Sequence, residues 1–478
     1  MRLLIGLMLL ASVGFAQDRM RMWEEFSGFL RIPNTADDPA GLRRNAEWIR
    51  NAFERRGVET RLLEVAGAPP VVFGQMRFSG VKQTAVFYAH YDGQPVDPTQ
   101  WQGSGPFVPS LRGGRFQDDE TRIYARSVAD DKAPIMAMLW ALDRMIASGG
   151  RPGVNLKFVF EGEEESGSRN LGRILAAHKA AVAADYWLIC DGPVHQSRRM
   201  QVYFGARGVT GFNLTVYGPS RELHSGHYGN WAPNPAMMLA RLLASMKDDE
   251  GRVTIDGFYD GVEPLSVSER SALETAPSVD EEILRDILVM RPEGSPRRLV
   301  EAINQPSLNV RGLESGAVGG AARNVVPAKA AASVDIRLVK GNDPRAMLEK
   351  VKAHIRGLGY FLVEDREPTE AERLRWPKVA RMDSSEGGYR AVRTSMDLPV
   401  SQQVITALER VHGPVVKMPT LGGSVPLAII EDVVAVPLIG IPIVNHDNNQ
   451  HSHNENLRLK NLWDGVATFE ALFTMAAR

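Results

Sequence analysis

Hydrophobic and polar positions along the first half of the chain predict helices and strands in alternation. Between Asp37 and Gly57, the apolar residues Leu42, Ala46, Ile49 and Phe53 recur at helical spacing and a glycine follows. Short β-branched and aromatic runs then alternate with helical patterns. The predicted strands are Thr84–Gly93, Val154–Ser168 and Asp185–Gly192, with a helix at Ala129–Gly150 and another after Ser168. This alternation predicts an α/β fold with a mixed, mostly parallel sheet flanked by helices.

The pattern changes near Gly208 into the order strand, helix, strand, strand, helix, strand. These elements are predicted at Gly208–Gly218, Asn234–Met246, Leu308–Leu313, Ala330–Lys340, Asp343–Gly359 and Tyr360–Glu367. This order is that of a ferredoxin-like α+β domain, here interrupted by an insertion over 247–306.

The α/β pattern returns near Val400. A helix is predicted at Ser401–Gly413, an apolar strand at Val433–Ile443 and a last helix at Lys460–Ala477. We therefore expect one domain formed by residues 17–207 and 398–478, with a second domain, residues 208–397, inserted into it.

The N-terminal residues resemble a secretory signal. Arg2 precedes a mostly apolar run from Leu3 to Ala16, and the small residues Gly14 and Ala16 flank Phe15. The run is shorter than the roughly 20 apolar residues that span a membrane. We expect residues 1–16 to be removed after Ala16, which leaves a secreted or periplasmic protein without a stable membrane anchor.

Composition narrows the function classes. Lysine and arginine number 56 against 57 aspartates and glutamates, for a net charge of −1. This balance argues against nucleic-acid binding, which usually requires an excess of basic residues. A single cysteine, Cys190, excludes an intrachain disulfide and a cysteine-rich zinc module.

Acidic and imidazole side chains recur where predicted strands end or helices begin. These residues are His90, Asp92, Asp130, Asp131, Glu163, Glu164, Glu165, Asp191, His451 and His453. Taken singly, each could be a helix cap, a solvated acidic turn or part of a polar loop. Together they predict one site, because ligands of open α/β sheets bind at the carboxyl ends of strands. Imidazole and carboxylate ligands without thiols suit zinc or manganese.

Eight segments of the chain resemble, in order, the co-catalytic zinc exopeptidases and amidohydrolases. This family includes carnosine dipeptidase, cytosolic non-specific dipeptidase, glutamate carboxypeptidase and acetylornithine deacetylase. The segments are Ala89–Pro98, Tyr124–Pro134, Phe160–Ser168, Cys190–Gly192, Glu222–Gly229, Asn324–Val339, Gly422–Pro426 and His451–Glu455. The amino-acid sequences of the first and fifth segments resemble the dipeptidase branch more than the deacetylase branch.

The resemblance implies a site for two zinc ions, although manganese or cobalt would also suit these ligands. His90 and Asp191 would bind one ion, and Glu165 and His451 the other. Asp130 would bridge both ions, with a cis peptide bond to Asp131 expected from the family.

The resemblance also implies the catalytic groups. Asp92 would hold the second ring nitrogen of His90 and so fix its tautomer. Glu164 would be the general base, taking a proton from a water shared by the metals and passing one to the leaving amine.

The inserted domain, residues 208–397, resembles the family's lid and dimerisation domain, and residues 17–207 and 398–478 would form the catalytic domain. Further roles fall in the inserted domain and in a turn after it. His224 would reach into the partner subunit's site of a homodimer and stabilise the oxyanion. Arg337 would bind the substrate's terminal carboxylate, and Gly423 and Ser424 would contact the substrate. Asn324 stands where related dipeptidases carry a threonine that contacts substrate across the dimer, which leaves the substrate preference open.

The sequence thus predicts a metal-dependent exopeptidase that hydrolyses dipeptides or short peptides with a free C-terminal carboxylate. One alternative is an N-acyl-amino-acid amidohydrolase, an aminoacylase or deacetylase that uses the same two metals. A non-catalytic binding protein on this scaffold would have lost ligands or the base, and the five ligands, Asp92 and Glu164 are all present. A purely structural metal site usually has cysteine ligands.

Overall fold

The computed structural model describes residues 19–294, 298–384 and 388–475, so the predicted signal at 1–16 lies outside the described residues. The strands are β1 (Glu59–Leu63), β2 (Val71–Met76), β3 (Thr84–His90), β4 (Ser110–Arg112), β5 (Arg122–Tyr124), β6 (Asn155–Glu161), β7 (Tyr186–Ile189), β8 (Gln201–Tyr203), β9 (Gly205–Ala206), β10 (Gly208–Tyr217), β11 (Leu223–His224), β12 (Ser307–Glu314), β13 (Val325–Val326), β14 (Lys329–Leu338), β15 (Phe361–Glu364), β16 (Val379–Ser384), β17 (Val392–Arg393), β18 (Val416–Met418), β19 (Leu438–Gly440) and β20 (Asn456–Arg458).

The helices are α1 (19–30), α2 (Pro39–Glu54), α3 (Lys132–Ala147), α4 (Leu171–Ala177), α5 (Lys179–Val182), α6 (Ser225–Tyr228), α7 (Pro235–Ala244), α8 (Val267–Thr275), α9 (Asp280–Asp286), α10 (Leu299–Ala302), α11 (Pro344–Gly357), α12 (Glu370–Arg375), α13 (Pro399–His412), α14 (Leu427–Val434) and α15 (Leu459–Phe473). Short 3-10 turns lie at Pro98–Gln100, Glu164–Ser166 and Gly319–Ala321. Among the described helices, none combines the length and the apolar character needed to cross a membrane.

The larger sheet has eight strands in the order β1-β2-β6-β3-β7-β19-β8-β18. Its central strands β6, β3, β7 and β19 are parallel to their neighbours in this group. Alternate residues of β3 point to opposite faces. Phe87 packs on Phe473 of α15, with ring centroids 4.9 Å apart, and Tyr88 lies in the core beside α4 and α14. Burial on both faces explains why these strands read as nearly continuous apolar runs.

The smaller sheet has five strands in the order β12-β14-β10-β16-β15. The predicted α/β class and the ferredoxin-like order of strands and helices are both present in the structure. The strand β16 is an addition to the prediction and lies between β10 and β15. Its sequence is hard to recognise, because its apolar residues are few and alternate with the charged, half-buried side chains of Arg381 and Asp383.

The boundaries of the inserted domain, 208 and 397, remain a proposal. In its support, every strand of the smaller sheet lies between residues 208 and 384. The short strand β17 pairs with β9, just before residue 208, so the chain enters and leaves the inserted segment side by side.

One predicted element is wrong in its extent. The apolar run from Val433 to Ile443 does not form a single strand, because Val434 is the last residue of α14 and only β19 is extended. Ala435 takes a left-handed backbone conformation with φ of 51°, which ends the helix. Periodicity alone cannot separate the two, because a short apolar run suits a buried helix end as well as a buried strand.

Gly440 in β19 is expected to be intolerant of any side chain. A methyl group there would overlap the fully buried ring of Tyr203, whose hydroxyl donates to the Asp191 carbonyl at 3.0 Å. We expect Gly440→Ala to lower the free energy of unfolding by about 1–3 kcal/mol, measured by urea denaturation. The matched control is Gly357→Ala in α11, where a methyl group meets no atom within 4 Å. Its stability should stay unchanged or rise by up to about 1 kcal/mol. Equal effects of the two changes would contradict this explanation.

Candidate metal centre

Three neighbouring parallel strands deliver the predicted ligands to one edge of the large sheet. His90 is the last residue of β3, Glu165 lies in the turn after β6, and Asp191 follows β7. His451 comes from the long loop after β19, and Asp130 from the loop before α3. The carboxyl ends of these strands therefore bring together residues that are far apart in the sequence.

Asp130 lies at the middle of the cluster. Its Oδ1 is 2.9 Å from Nε2 of His90, and its Oδ2 is 3.1 Å from Nε2 of His451. Nε2 of His451 is also 3.2 Å from Oε2 of Glu165. The peptide bond from Asp130 to Asp131 is cis, as the resemblance implies. One carboxylate thus faces both histidines, which is the arrangement of a bridging ligand.

Two groups of side chains could each hold a cation. The ligand atoms of His90, Asp131 and Asp191 lie within 4.8 Å of one another, and so do those of Asp130, Glu165 and His451. Asp131 is an addition to the predicted set, and its Oδ2 also accepts the backbone N–H of His90 at 3.2 Å. In the sequence, the only indication for Asp131 as a ligand is that it adjoins Asp130. Two adjacent acids do not show which of them ligates.

Asp92 connects His90 to the acidic turn. Its Oδ1 lies 3.3 Å from Nδ1 of His90. Its two oxygens also accept the backbone N–H groups of Glu164, at 3.1 Å, and Glu165, at 3.0 Å. Asp92 is almost fully buried, so it can hold both the imidazole and the turn in fixed positions.

Glu455 supports Asp130 from behind and was not among the predicted site residues. Its buried carboxylate accepts the backbone N–H groups of Ser127, Ala129 and Asp130 at 2.8–3.0 Å and pairs with Arg126 at 2.9 Å. Glu455 lies four residues after His451 in the polar segment HSHNE. Nothing in that segment distinguishes it from a solvated loop residue.

Crowding of carboxylates dominates the electrostatics. Burial, with the nearby charge of Asp130, raises the pKa of Glu165 to about 8 and that of Asp191 to about 6. The hydrogen bond to Asp130 raises the pKa of His451 to about 9. Burial also raises the pKa of Glu164.

The cluster suits divalent cations chemically. Its carboxylates repel one another in a buried space, and bound cations would relieve this repulsion. The donors are imidazole nitrogens and carboxylate oxygens, while the thiol of Cys190 is buried and contacts the Leu188 carbonyl. This donor set fits zinc, manganese or cobalt.

Glu164 stands beside the ligands at the wall of a cavity of about 590 Å³. Its Oε2 is 4.0 Å from Nε2 of His90. Asp130, Asp191 and His451 line the same cavity. A substrate that enters the cavity would therefore meet the metal ligands and this carboxylate together.

Arg337, Gly423 and Ser424 line this cavity as well. Nη1 of Arg337, on β14 of the smaller sheet, donates to Oγ of Ser424 at 2.6 Å. The guanidinium also lies 3.5 Å from Asp335. The predicted carboxylate-binding group thus joins the metal cluster in one cavity, although it belongs to the other sheet.

His224 and Asn324 are brought together, but outside this cavity. His224 is the last residue of β11 and Asn324 directly precedes β13 in a two-stranded ribbon, where the Asn324 carbonyl accepts the Ser225 N–H at 2.9 Å. Both residues are exposed. Within this chain they do not line the cavity that holds the metal cluster.

A parallel sheet with nitrogen and oxygen ligands gathered at its strand ends defines a metal-dependent hydrolase of the α/β class. Residues 86–475 match peptidase family M20/M25/M40, and the chain belongs to this family. The chain is 28% identical over 408 residues to the Cys-Gly metallodipeptidase of Schizosaccharomyces pombe, covering 84% of this chain and 81% of that protein. It is 26% identical over 418 residues to the human Beta-Ala-His dipeptidase, covering 86% and 78%.

Solved structures agree with this assignment. The M20 family metallo-carboxypeptidase Sso-CP2 of Sulfolobus solfataricus superposes with a TM-score of 0.77 at 26% identity, covering 95% of this chain and 98% of that one. The predicted metal-dependent exopeptidase of dipeptidase type is confirmed, and the amidohydrolase alternative is not favoured.

The predicted secreted or periplasmic location is wrong. It is contradicted by the comparisons, in which the Cys-Gly metallodipeptidases of yeasts match 84% of the chain. The segment on which it depends, residues 1–16, lies outside the described residues. The prediction is withdrawn.

The raised pKa values give the metal-free protein a definite pH dependence. Folded Glu165 and His451 keep their protons up to about pH 8 and 9, whereas the unfolded chain releases them near 4.5 and 6.5. Protons therefore favour the folded state, and we expect the Tm of the chelator-treated protein to fall as pH rises from 5.5 to 8.5.

Adding zinc should raise the Tm and reduce this fall, because the cation replaces the protons. Metal-free Glu165→Gln is the control and should show a smaller fall than the metal-free wild type. A metal-free Tm that stays level or rises over this range would contradict the electrostatic account.

Proposed function

We propose that this chain is a di-zinc dipeptidase that uses Glu164 as its general base. One zinc would be held by His90, Asp130 and Asp191, and the other by Asp130, Glu165 and His451. The observation that carries the proposal is the position of Asp130, whose two oxygens face the two histidines at 2.9 and 3.1 Å. When bound, the cations would polarise the peptide carbonyl and make a water more acidic.

The chain's own residues supply the proton transfers. Glu164 takes the proton that the attacking water loses and delivers it to the nitrogen of the leaving amine. Burial, opposed by His90 and assisted by Asp191, raises the pKa of Glu164 well above its ordinary value. A raised pKa makes this carboxylate a stronger proton acceptor, which suits it to this role. Asp92 holds the ring of His90 and the turn at Glu164 in fixed relative positions during the reaction.

The free carboxylate of the substrate would bind at Arg337. Its guanidinium is about one third exposed and can form a forked contact with a carboxylate. Ser424 Oγ already accepts a hydrogen bond from this guanidinium, and Gly423 precedes it in the same turn. A peptide anchored there would place its last amide bond toward the metal cluster within the shared cavity.

A homodimer would complete the site. His224 and Asn324 lie on an exposed ribbon outside their own chain's cavity. Large apolar side chains are also exposed on the inserted domain, such as Trp231, at 80%, and Leu313, at 62%, on the edge strand β12. Exposed apolar groups beside an unpaired strand edge favour association with a second copy. We propose that His224 stabilises the oxyanion in the partner's site and that Asn324 contacts the substrate there.

The dipeptidase assignment rests on the relatives as well as on the site. The relatives named for Cys-Gly and Beta-Ala-His hydrolysis both act on substrates with a free C-terminal carboxylate, which matches the proposed role of Arg337.

Glu164→Gln should bind both metals and keep the wild-type Tm, because the change preserves the shape of the side chain. Without the base, kcat on a dipeptide panel should fall by about 100-fold or more. Metal content is measured by elemental analysis, and turnover by release of free amino acids. An N-acetyl amino acid panel is assayed in parallel.

The matched control is Glu163→Gln in the same acidic turn. Glu163 contacts Asn170 rather than the metal ligands, so this variant should keep most of its turnover. Wild-type-like kcat in Glu164→Gln would contradict the base assignment. Turnover of N-acetyl amino acids alone by the wild type would contradict the dipeptidase proposal.

Action of His224 across a dimer predicts complementation. His224→Ala and Glu164→Gln should each be nearly inactive as homodimers. A verified heterodimer of the two variants contains one site with both an intact base and an intact histidine, and one site that lacks both. It should recover up to about half of the wild-type activity per dimer. Absence of recovery in purified heterodimers would contradict the action of His224 in trans.

A further inference from the structure

The cavity beside the metal cluster has two chemically different ends. One end carries the charged groups already described. The other end is lined by Leu299, Val300 and Ile303, contributed by helix α10 and the residue after it, and by Met418 and Leu421 of the catalytic domain. Val300 and Met418 belong to one packed apolar cluster, with Ile303 and Leu421 packed against it.

The polar side chains at this apolar end carry no charge at neutral pH. Gln196 and Gln201, which line the same cavity, are neutral amides. Burial, together with the nearby charge of Arg199, lowers the pKa of His195 to about 4. Burial also lowers the pKa of His446. The charged residues Arg199, Arg298 and Asp280 lie near His195 but are not among the residues that line the cavity. A charged substrate side chain would thus find no ionic partner in this part of the cavity wall and would lose its hydration.

The apolar end adjoins the turn proposed to bind the substrate carboxylate. Leu421 is followed directly by Gly422, Gly423 and Ser424. A Cβ built on Gly422 would lie 3.4 Å from Cγ2 of Ile303, so that side chain reaches the turn itself. In a peptide, the carbon that carries the terminal carboxylate also carries the side chain of the last residue. A carboxylate bound at Arg337 therefore brings that side chain next to Ile303 and Leu421.

We infer that Leu299, Val300, Ile303, Met418 and Leu421 form a subsite for a large, uncharged, apolar side chain on the C-terminal residue of the substrate. This inference rests on the proposed function, because it requires the carboxylate to bind at Arg337. Helix α10 lies in the segment that is inserted into the catalytic domain. This inserted segment therefore determines the specificity for the C-terminal side chain of the substrate.

The test compares dipeptides that differ in one position only. We expect kcat/KM for Ala-Leu to exceed that for Ala-Gly by at least about tenfold, because a buried leucine side chain gains hydrophobic free energy. Ala-Glu and Ala-Lys should be poorer than Ala-Leu. The reversed pair, Leu-Ala and Gly-Ala, should show a smaller preference.

Variants locate the preference in the protein. Ile303→Ala and Leu299→Ala should each reduce the ratio of kcat/KM for Ala-Leu over Ala-Gly by about threefold or more. Leu299 is 40% exposed, so its truncation leaves folding intact even if that of Ile303 does not. The matched control is Ile287→Ala, a 57% exposed position outside the cavity, where the ratio should not change.

Two results would overturn the inference while leaving the proposed function in place. One is a preference that follows the N-terminal residue. The other is dipeptide hydrolysis whose ratio does not respond to Leu299→Ala or to folded Ile303→Ala. Failure to cleave any dipeptide by metal-loaded wild-type protein would overturn the proposed function and this inference with it.

Discussion

The structure depends on one electrostatic constraint: buried carboxylates must lie close together at the carboxyl edge of a parallel sheet. Asp130, Glu165 and Asp191 are drawn together with His90 and His451, and burial raises the pKa of Glu165 and Asp191. Such a cluster costs free energy in the absence of cations. The same crowding would favour the binding of divalent cations that prefer oxygen and nitrogen ligands.

Two further buried carboxylates hold this cluster in place. Asp92 binds the ring of His90 and the backbone of the Glu164 turn, and Glu455 binds the backbone that leads into Asp130. Each connects two different strand-end segments through several hydrogen bonds. Positions of the metal ligands are therefore determined by a network among loops, supported by strands that are buried on both faces.

In the proposed function, the inserted domain would complete the site that the large sheet begins. Its strand β14 contributes Arg337, and helix α10 contributes the apolar wall of the cavity. Its ribbon presents His224 and Asn324 away from their own site. In the proposed function, the large sheet would therefore hold the metals and the insertion would recognise the substrate.

The sequence alone determined the α/β class, the order of helices and strands in the inserted segment, and the family. These features depend on local patterns, such as apolar runs that end in Asp, Glu or His. The rule that parallel strand ends converge grouped the acidic and imidazole residues into one site, and the family resemblance selected His90, Asp130, Glu165, Asp191 and His451 among them as metal ligands. Tertiary structure decided the rest. Asp130 and Glu455 are separated by 325 residues, and Ile303 reaches the turn at Gly422 across the domain boundary. Contacts of this kind leave no local periodicity, so the position of Asp131 beside His90 and Asp191, the contacts of Glu455 and the apolar end of the cavity emerged only from the folded chain.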